Sequence, residues 1–364
     1  MVYRRVEPFR FPSLLPVIVR GALGTLLAVV GCADRDEGGR RTNTGASSLT
    51  TVTAGATDTA GGTGASSAGS DDGGVKLDVG NGMGTGNNSG DNMSDGCKKV
   101  DLLFVVDNSG SMLDEQVNLV ASVPGFVNQI QTQLADTEGY HVGVITSDAY
   151  SFNELGCGIE GALVTRTGGA DASNAVCTPF ASGLRFMTEQ DDLATKFPCA
   201  AQVGTEGDGN ERPMQTMIAA LSDAMNAPGA CNEGFLRDDA LLVLVIITDE
   251  EDDHEVDGCL QQPQPGSAGD PPQWFDAVVA AKDGIESNIV VLSLVGPKPP
   301  NACPALDKCA GGIDGAEQAT RIIEFTEMFT YGFVGQVCAP TYEPFFQEAI
   351  SIIESACDDF VPPG

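Results

Sequence analysis

The sequence predicts an α/β fold in which a doubly wound, mostly parallel central sheet of about six strands carries helices on both faces and disulfide-closed loop insertions. Three observations predict it. Short apolar runs alternate along the chain with segments of helical periodicity, which is the pattern of repeated strand and helix units. The two most apolar runs, at 100–106 and 240–248, are nearly continuous, with Asp101 interrupting the first, as expected for strands buried on both faces of a parallel sheet. Each of these two runs is followed directly by an aspartate.

The elements follow in chain order. Strands are expected at 100–106, 140–146, 240–248, 288–295 and 333–337, and less regular strand patterns occur at 162–166 and 184–187. Helices are expected at 112–134, 191–201, 213–225, 274–282, 316–330 and 342–355. Pro124 predicts a kink in the first helix, because proline removes one helical hydrogen bond. In open sheets of this kind, ligand sites lie outside the carboxyl ends of the central strands.

Composition divides the chain into three regions. Residues 1–31 have arginines at positions 4, 5, 10 and 20 followed by an apolar run at 21–31, which is the layout of a secretory signal peptide. This run is shorter than the roughly 20 residues that a membrane-spanning helix needs. Residues 32–96 are mostly Gly, Ser, Thr, Ala, Asn and Asp, so a disordered tether is predicted there. Residues 97–364 are expected to form the folded domain.

The signal region ends in Val29-Val30-Gly31-Cys32, which resembles the lipobox of bacterial lipoproteins. That resemblance implies that Cys32 becomes the lipidated first residue of the mature chain, anchored in the bacterial cell envelope at the outer membrane or cell surface. The sequence departs from the usual motif at Val29, where leucine is common. The alternative is an ordinary secretory signal, in which case the protein is secreted. The lipid anchor is the only contact with a membrane that we expect.

The charge balance narrows the range of partners. The chain has 19 Lys and Arg residues against 51 Asp and Glu residues, and its formal net charge is −32. Nucleic acid is therefore not an expected partner, because its phosphates would be repelled. An acidic surface instead favours solubility and attracts cations.

Ten of the eleven cysteines remain once Cys32 is set aside as the lipidation site. An even number in an exported chain predicts five disulfides. The ten candidates are Cys97, Cys157, Cys177, Cys199, Cys231, Cys259, Cys303, Cys309, Cys338 and Cys357. We expect Cys97 to pair with Cys357 across the ends of the domain, and the pairs Cys157–Cys177 and Cys303–Cys309 to close local loops. Paired C-x-x-C spacing does not occur, so structural zinc is not expected.

One turn concentrates residues that can bind a cation. Directly after the strand at 100–106, the chain reads DNSGS at 107–111. Asp107, Ser109 and Ser111 place three oxygen ligands at alternate positions of this turn. Hard cations such as Mg²⁺ and Ca²⁺ prefer oxygen ligands. The turn therefore has the outline of a cation site.

Two further observations extend this site. Ser111 and Asp114 form a helix-capping pattern at the start of the next helix. Asp249 follows the second apolar strand, and if the two strands are neighbours, Asp107 and Asp249 face one crevice. Acids continue from Asp249 to position 255, and apart from Asp249 we interpret this run, with His254, as a solvated loop at the rim.

The DNSGS turn resembles the Asp-x-Ser-x-Ser motif that begins the metal-ion-dependent adhesion site of von Willebrand factor type A (vWA) domains. The order of elements over most of 97–364 is also similar to that family. The resemblance implies a divalent cation held directly by Ser109 and Ser111, with Asp107 and Asp249 as acidic ligands. It also implies that an open coordination position receives a carboxylate from a protein or glycan partner. The expected cation is Mg²⁺ or Ca²⁺, and Mn²⁺ also suits such a site.

The sequence departs from the family pattern at the last ligand, which is a threonine just before the helix preceding the second acidic strand end. Thr205 offers a hydroxyl but lies several residues before the expected helix start at 213. Glu211 lies closer to that start. A third carboxylate from Glu211 would favour Ca²⁺, whose coordination is higher and looser than that of Mg²⁺. Both residues remain candidates.

Catalysis is not expected, although two alternatives to adhesion stay open. A phosphatase of the haloacid dehalogenase type needs a second aspartate two positions after Asp107, where this chain has Ser109. The sequence has no G-x-S-x-G nucleophile motif, and His141 is the one basic partner left for a catalytic serine. A metal-dependent hydrolase or phosphatase is therefore one alternative, and a structural vWA scaffold with an idle metal site is the other.

Overall fold

The computed structural model describes residues 96–133, 137–252, 265–306 and 315–363. Within these ranges the fold is mixed α/β, with a six-stranded, mostly parallel sheet flanked by helices, as the sequence predicted. The expected signal peptide and all of the expected tether except Gly96 lie outside the described residues, and so do Cys32, His254, Cys259 and Cys309.

The described strands are β1 (Lys99–Val106), β2 (Gly139–Thr146), β3 (Met187–Thr188), β4 (Leu241–Ile247), β5 (Ile289–Val295) and β6 (Tyr331–Gln336). The described helices are α1 (Leu113–Gln133), α2 (Leu193–Ala201), α3 (Pro213–Leu221), α4 (Asp223–Asn226), α5 (Pro271–Ala280), α6 (Thr320–Glu327) and α7 (Glu343–Asp358), with a 3-10 turn at Glu286–Asn288. Helix α1 continues through Pro124. None of these helices combines the length and the apolar character that crossing a membrane requires.

The order of strands across the sheet is β3-β2-β1-β4-β5-β6, and all neighbours are parallel except β2 and β3. Val106 of β1 pairs with Thr146 of β2 on one side and with Ile247 of β4 on the other. The three central strands therefore end at the same level. From β1 the chain passes to β2 on one side, and it later returns to β4 on the other side of β1. The connections that leave β1 and β4 therefore diverge, which creates a crevice between the carboxyl ends of these two strands.

Helices pack on both faces because successive side chains of a strand point to opposite faces. Phe104 of β1 packs against Phe126 of α1 and Phe197 of α2, with ring centroids 5.9 and 4.6 Å away, in a core that also includes α7. Leu103 and Val105 belong to the opposite core, which contains α3, α5 and α6. Apart from Lys99 and Asp101 near its start, β1 is thus apolar on both faces, which explains the nearly continuous apolar run in the sequence.

Two segments differ from the expectation. The strand expected at 162–166 is wrong, and only a single bridge between Arg166 and Val176 forms there. The N–H groups of Leu163 and Thr165 donate to asparagine side chains instead of to a neighbouring strand. The helix expected at 213–225 is interrupted at Ser222, whose extended backbone ends α3 and whose side chain caps α4.

Disulfides close the ends of the domain and its longest irregular segment. The expected pair Cys97–Cys357 is confirmed, and its members are 260 positions apart in the sequence. The expected local pairs are wrong, because the chain forms Cys157–Cys231, Cys177–Cys199 and Cys303–Cys338. Folding brings segments together that are far apart in sequence, so proximity along the chain did not identify these partners.

Candidate metal centre

The carboxyl ends of β1 and β4 bring Asp107 and Asp249 to one crevice. The two strands are neighbours, and the Asp107 backbone N–H donates to the Ile247 carbonyl oxygen at 3.0 Å. Both aspartates are buried, with 1% and 0% of their surface exposed. The Thr248 hydroxyl connects the strand ends by donating to Asp107 Oδ2 at 2.6 Å. Two acids that are distant in sequence therefore lie within electrostatic reach of each other.

The two serines of the DNSGS turn face the same crevice. The hydroxyl oxygens of Ser109 and Ser111 lie 3.2 Å apart, and the Ser111 hydroxyl donates to Asp249 Oδ1 at 3.1 Å. The Ser109 backbone N–H donates to Asp107 Oδ1 at 2.8 Å, which holds the turn closed. The Ser111 hydroxyl, considered from the sequence as a helix cap, is thus directed at the acid on the neighbouring strand.

The third loop contains the two competing candidates, and the structure places them differently. The Thr205 hydroxyl donates to Asp171 Oδ2 at 2.8 Å, so a side chain of another loop already engages it. Glu211 is 1% exposed and faces Asp107 and Glu250, both of which raise its pKa. Neither carboxylate oxygen of Glu211 meets an N–H or hydroxyl donor within the described ranges, and the Glu250 carboxyl beside it can bond to it only by sharing a proton. Glu211 therefore lies with the other candidate ligands.

Burial and mutual repulsion raise the pKa values of these acids. Burial is the largest cause for Asp107, Asp249 and Glu211. The charge of Asp107 further raises the pKa values of Asp249 and Glu211, and Glu250 acts in the same direction on both. Hydrogen bonds to Asp107 from neighbouring hydroxyl and backbone groups lower its pKa but do not outweigh burial. Ionising all three acids together is therefore unfavourable unless a positive charge lies among them.

The unpartnered oxygens of this cluster fit a cation. Asp249 Oδ2 and both oxygens of Glu211 are buried and meet no N–H or hydroxyl donor in the described part of the chain. Buried polar atoms of folded proteins seldom lack a partner, and a bound ion can supply one. No group of three His, Cys, Asp or Glu side chains in the described ranges forms a metal site by itself. A cation here would need the mixed set of carboxylate and hydroxyl oxygens, which suits Mg²⁺ or Ca²⁺.

Sequence reasoning missed a third strand end at this crevice. Strand β2 is followed by Ser147 and Asp148, and it pairs with β1 in the same register as β4 does. The Ser147 hydroxyl lies 3.1 Å from Asp107 Oδ1 and is positioned to donate to it, while Asp148 Oδ1 accepts from Asn108 Nδ2 at 3.1 Å. The signal was available, because this polar pair follows an expected strand just as Asp107 does.

The sequence analysis also did not identify a further buried acid near this crevice. Glu115, in the first turn of α1, is 1% exposed, and burial together with Asp114 and Asp249 raises its pKa to about 9. Glu115 Oε2 and Asp114 Oδ1 have no hydrogen-bond partner in the described ranges. Acids are common in the first turn of helices, because they interact favourably with the helix dipole. The sequence alone therefore gave no reason to single out Glu115.

The third loop is held against the DNSGS turn by close contacts. The Gly207 N–H donates to the Asn108 carbonyl oxygen at 2.7 Å, and a Cβ added at Gly207 would lie 2.5 Å from that oxygen. Gln116 Nε2 donates to the carbonyl oxygens of Asp107 and Gly204 at 2.9 and 2.8 Å. These contacts connect the loop that carries the third candidate ligand to the end of β1.

The acidic run after Asp249 is not the solvated loop that we expected, as far as it is described. Glu251 and Asp252 are 6% and 0% exposed. Asp252 Oδ2 accepts from the Ser267 hydroxyl at 2.6 Å, and Glu251 Oε2 accepts from the Arg321 backbone N–H at 2.8 Å. Both acids therefore connect loops in the structure. Their hydrogen-bonding partners come from distant segments, which the sequence pattern could not reveal.

His141 lies far from the serines of the site. It pairs in register with Asp101, six residues before Asp107 along β1. At roughly 3.3 Å per residue, that separation is about 20 Å. His141 Nδ1 donates to the Phe235 carbonyl oxygen at 2.8 Å. His141 therefore has no contact through which it could activate Ser109 or Ser111.

Comparison with known proteins gives only weak likenesses. No family model and no curated protein matches the chain. Among solved structures, the pilus adhesin SpaC from Lactobacillus rhamnosus GG is similar with a TM-score of 0.36 and 14% identity, over 71% of this chain and 31% of that chain. Proximal thread matrix protein 1 from the mussel byssus has a TM-score of 0.35 and 12% identity, over 72% and 49%. The chain thus spans less than half the length of either protein, and similarity at this level supports no inference about function.

Proposed function

We propose that this protein is an exported bacterial surface lipoprotein whose vWA domain binds a protein or glycan partner through a divalent cation. One observation carries the proposal. Asp249 Oδ2 and both oxygens of Glu211 are buried without an N–H or hydroxyl donor in the described ranges, beside the hydroxyls of the DNSGS turn. A site with free oxygen ligands and excess negative charge is suited to a hard cation.

The residues that would hold the cation are Ser109, Ser111, Asp107, Asp249 and Glu211. A bound divalent cation would neutralise part of the buried negative charge and supply a Lewis-acidic centre for an oxygen ligand of the partner. Two carboxylates with hydroxyls and waters suit Mg²⁺, and coordination by Glu211 as a third carboxylate would favour Ca²⁺, whose coordination is higher and looser. The strand order, with acids ending the two strands at the switch point, supports the vWA assignment.

Export and anchoring form a separate part of the proposal. Four disulfides form within the described ranges, and stable disulfides are typical of oxidising compartments outside the cytosol. Mass spectrometry of the mature N-terminus is expected to detect a diacylglycerol-modified Cys32. A mature chain that begins at another residue without a lipid would contradict this part and leave the cation site unaffected.

Calorimetric titration of Ca²⁺ and Mg²⁺ tests the site. We expect wild type to bind, Asp107→Ala to lose binding, and Glu211→Gln to weaken Ca²⁺ binding at least about tenfold, which corresponds to roughly 1.4 kcal/mol. Thr205→Ala is the matched control from the same loop, because its hydroxyl engages Asp171. Equal affinity of wild type and Asp107→Ala would refute the site. Weakening by Thr205→Ala but not by Glu211→Gln would assign the third ligand to Thr205.

Partner binding requires its own experiment. Wild-type protein immobilised with Ca²⁺ is expected to retain a component of the cell-surface extract that EDTA releases. The folded Asp107→Ala variant is the control, and it should retain nothing that EDTA releases. Equal retention by both proteins would show that any binding is independent of the cation.

A further inference from the structure

The two edges of the described sheet differ in how they are protected. Natural proteins protect edge strands by keeping them short or by placing charges or proline on them, because free backbone groups can pair with another chain. Strand β3 at one edge has only two residues. Strand β6 at the other edge has six, Tyr331–Gln336, and its sequence YGFVGQ has neither charge nor proline. Its residues are half-buried or exposed. The β6 edge therefore has none of these protective features.

Alternate backbone groups of β6 point away from the sheet. The Val337 N–H, just after the strand, donates to the Val295 carbonyl oxygen of β5. Because inward and outward groups alternate along a strand, the N–H groups of Phe333 and Gly335 also face β5, whereas those of Val334 and Gln336 face outwards. The Gly332 N–H and the Gln336 carbonyl oxygen are used in local turns, whereas no partner for the N–H groups of Val334 and Gln336 occurs among the described residues.

A groove runs beside this edge. It has a volume of about 540 Å³ and lies between β6 and the first turns of α7. Phe333 of β6 and Phe345 of α7 stack with ring centroids 5.6 Å apart, and Tyr342 and Leu294 contribute further apolar lining. A Cβ at Gly335 would lie 2.4 Å from the Phe345 ring, so glycine leaves room for that ring. An edge strand beside a helix with an apolar groove between them is an arrangement that binds extended peptides by strand addition.

The charged groups found around this edge are acidic. Glu348 of α7 is exposed and lines the groove. At the start of β6, the Tyr331 hydroxyl contacts Asp359, and the Thr330 backbone N–H donates to Glu286 Oε1 at 2.6 Å. The whole chain has a formal net charge of −32. A basic occupant is therefore attracted, whereas a second copy of this chain is repelled.

We propose that β6 accepts an extended segment of a partner protein as an added strand, with apolar side chains at alternate positions entering the groove and basic side chains between them. The β6 backbone supplies the hydrogen bonds, and the groove with its acidic rim supplies the sequence preference. This interaction surface does not depend on the proposed cation site, because it lies on a different strand and uses no oxygen of that site.

Fluorescence anisotropy with a labelled octapeptide of alternating valine and lysine tests the proposal on the full chain at physiological salt. We expect saturable binding that EDTA does not change, so that failure here and failure of the cation site are distinguishable. The same peptide with N-methyl groups on alternate residues keeps its charge and side chains but loses its donors. We expect this control to bind at least tenfold more weakly. A peptide with glutamate in place of lysine is expected to bind more weakly as well.

Two variants of the protein complete the test. Val334→Pro removes an outward N–H without removing a bond to β5, since proline is tolerated on edge strands in that orientation. The variant is expected to bind the peptide at least tenfold more weakly than wild type. Unchanged Ca²⁺ binding and an unchanged thermal unfolding transition would show that the variant folds. Glu348→Lys is expected to reduce the preference for the lysine peptide over the glutamate peptide.

The opposite results would overturn the proposal. If the N-methylated peptide binds as tightly as the unmodified one, charge alone attracts the probe and no strand is added. This comparison uses the wild-type protein, so it does not depend on the folding of any variant. Unchanged affinity in folded Val334→Pro would exclude β6 as the site. Concentration-dependent dimers in sedimentation velocity, removed by Val334→Pro, would assign the edge to a second copy of the chain.

Discussion

The Thr248 hydroxyl donates a 2.6 Å hydrogen bond to Asp107 Oδ2 and so joins the ends of β4 and β1. Both residues are buried, Thr248 at 0% and Asp107 at 1% exposure. Hydrogen bonds to an ionised acceptor are stronger than those between neutral groups. This contact therefore sets the direction of the Asp107 carboxylate relative to Ser109, Ser111 and Asp249.

We expect Thr248→Val to weaken Ca²⁺ binding about tenfold, because valine keeps the shape of the side chain but cannot donate to Asp107. The change corresponds to about 1.4 kcal/mol, close to the contribution of roughly 1.5–3 kcal/mol for a hydrogen bond to a charged group. Titration calorimetry measures it. Thr326→Val is the matched control, since it removes a buried hydroxyl 2.6 Å from Ser293 Oγ, where helix α6 packs on strand β5. Equal weakening by both variants would indicate a general loss of stability.

Gly207→Ala is expected to reduce cation affinity by separating the third loop from the DNSGS turn. The added Cβ would lie 2.5 Å from the Asn108 carbonyl oxygen, and relief of such overpacking costs roughly 1–3 kcal/mol. Gly209→Ala, two residues further along the same loop, meets nothing within 4 Å and should bind the cation as wild type does. The same calorimetric titration compares the two. If both alanine variants bind equally well, the approach of Gly207 to Asn108 does not position the site.

The pH dependence of stability should depend on a buried pair at the other end of β1 and β2. Burial is the main reason why the pKa of His141 falls from 6.5 to about 4. The unfolded histidine takes up its proton near pH 6.5 and the folded one near pH 4. The stability that His141 contributes is therefore present above pH 6.5 and is lost as the pH falls towards 4, by roughly 3 kcal/mol.

Asp101, whose Oδ1 lies 3.5 Å from His141 Nδ1, acts in the opposite direction. Burial outweighs the attraction of Arg237 and raises the pKa of Asp101 from 3.8 to about 6. Its contribution is present below pH 3.8 and is lost as the pH rises through 6, so the two effects offset each other in wild type. The other charged groups acting on this pair are Arg237, Lys282, Lys99 and Glu189.

His141→Gln removes one of these two effects and keeps an N–H donor for the Phe235 carbonyl oxygen. Relative to wild type, we expect the variant to become more stable by up to roughly 3 kcal/mol as the pH falls from 6.5 to 4. Urea unfolding at a series of pH values measures this difference. The acids of the candidate metal centre, Asp107, Asp249 and Glu211, titrate in both proteins. Their contributions therefore cancel in the difference between the two free energies of unfolding. A difference that stays constant across the range would contradict the prediction.

The terminal disulfide should stabilise the domain more than the local one. Cys97 and Cys357 are 260 residues apart, and Cys177 and Cys199 are 22 apart. Because a longer loop loses more freedom in the unfolded chain, replacing the first pair by alanines should lower the free energy of unfolding by about 5 kcal/mol, against about 3 for the second. Urea denaturation of the two double variants measures both. The reverse order would show that strain or residual structure dominates.

Much of the fold was predictable because its signals are local. The nearly continuous apolar runs of β1 and β4 follow from burial on both faces, and each of their bounds differs from the expectation by at most one residue. The segment at 162–166 has a similar apolar pattern, yet its Leu163 and Thr165 N–H groups donate to the side chains of Asn232 and Asn153, and only the Val164 N–H donates to a neighbouring strand, at the Val144 carbonyl oxygen of β2. A pattern of side chains indicates that a segment is buried, but it does not indicate which acceptor its backbone will find.

The sequence by itself determined the chemistry of the DNSGS turn, the acids after the two most apolar strands and the pairing of Cys97 with Cys357. These depend on residue types and on periodicities that span a few neighbours, or on the ends of the domain meeting. Only the tertiary structure showed that the Glu211 side chain is buried beside Asp107 while the Thr205 hydroxyl engages Asp171, because both arrangements depend on contacts between loops that are distant in sequence. Such contacts between distant loops arise from packing, which no local pattern encodes.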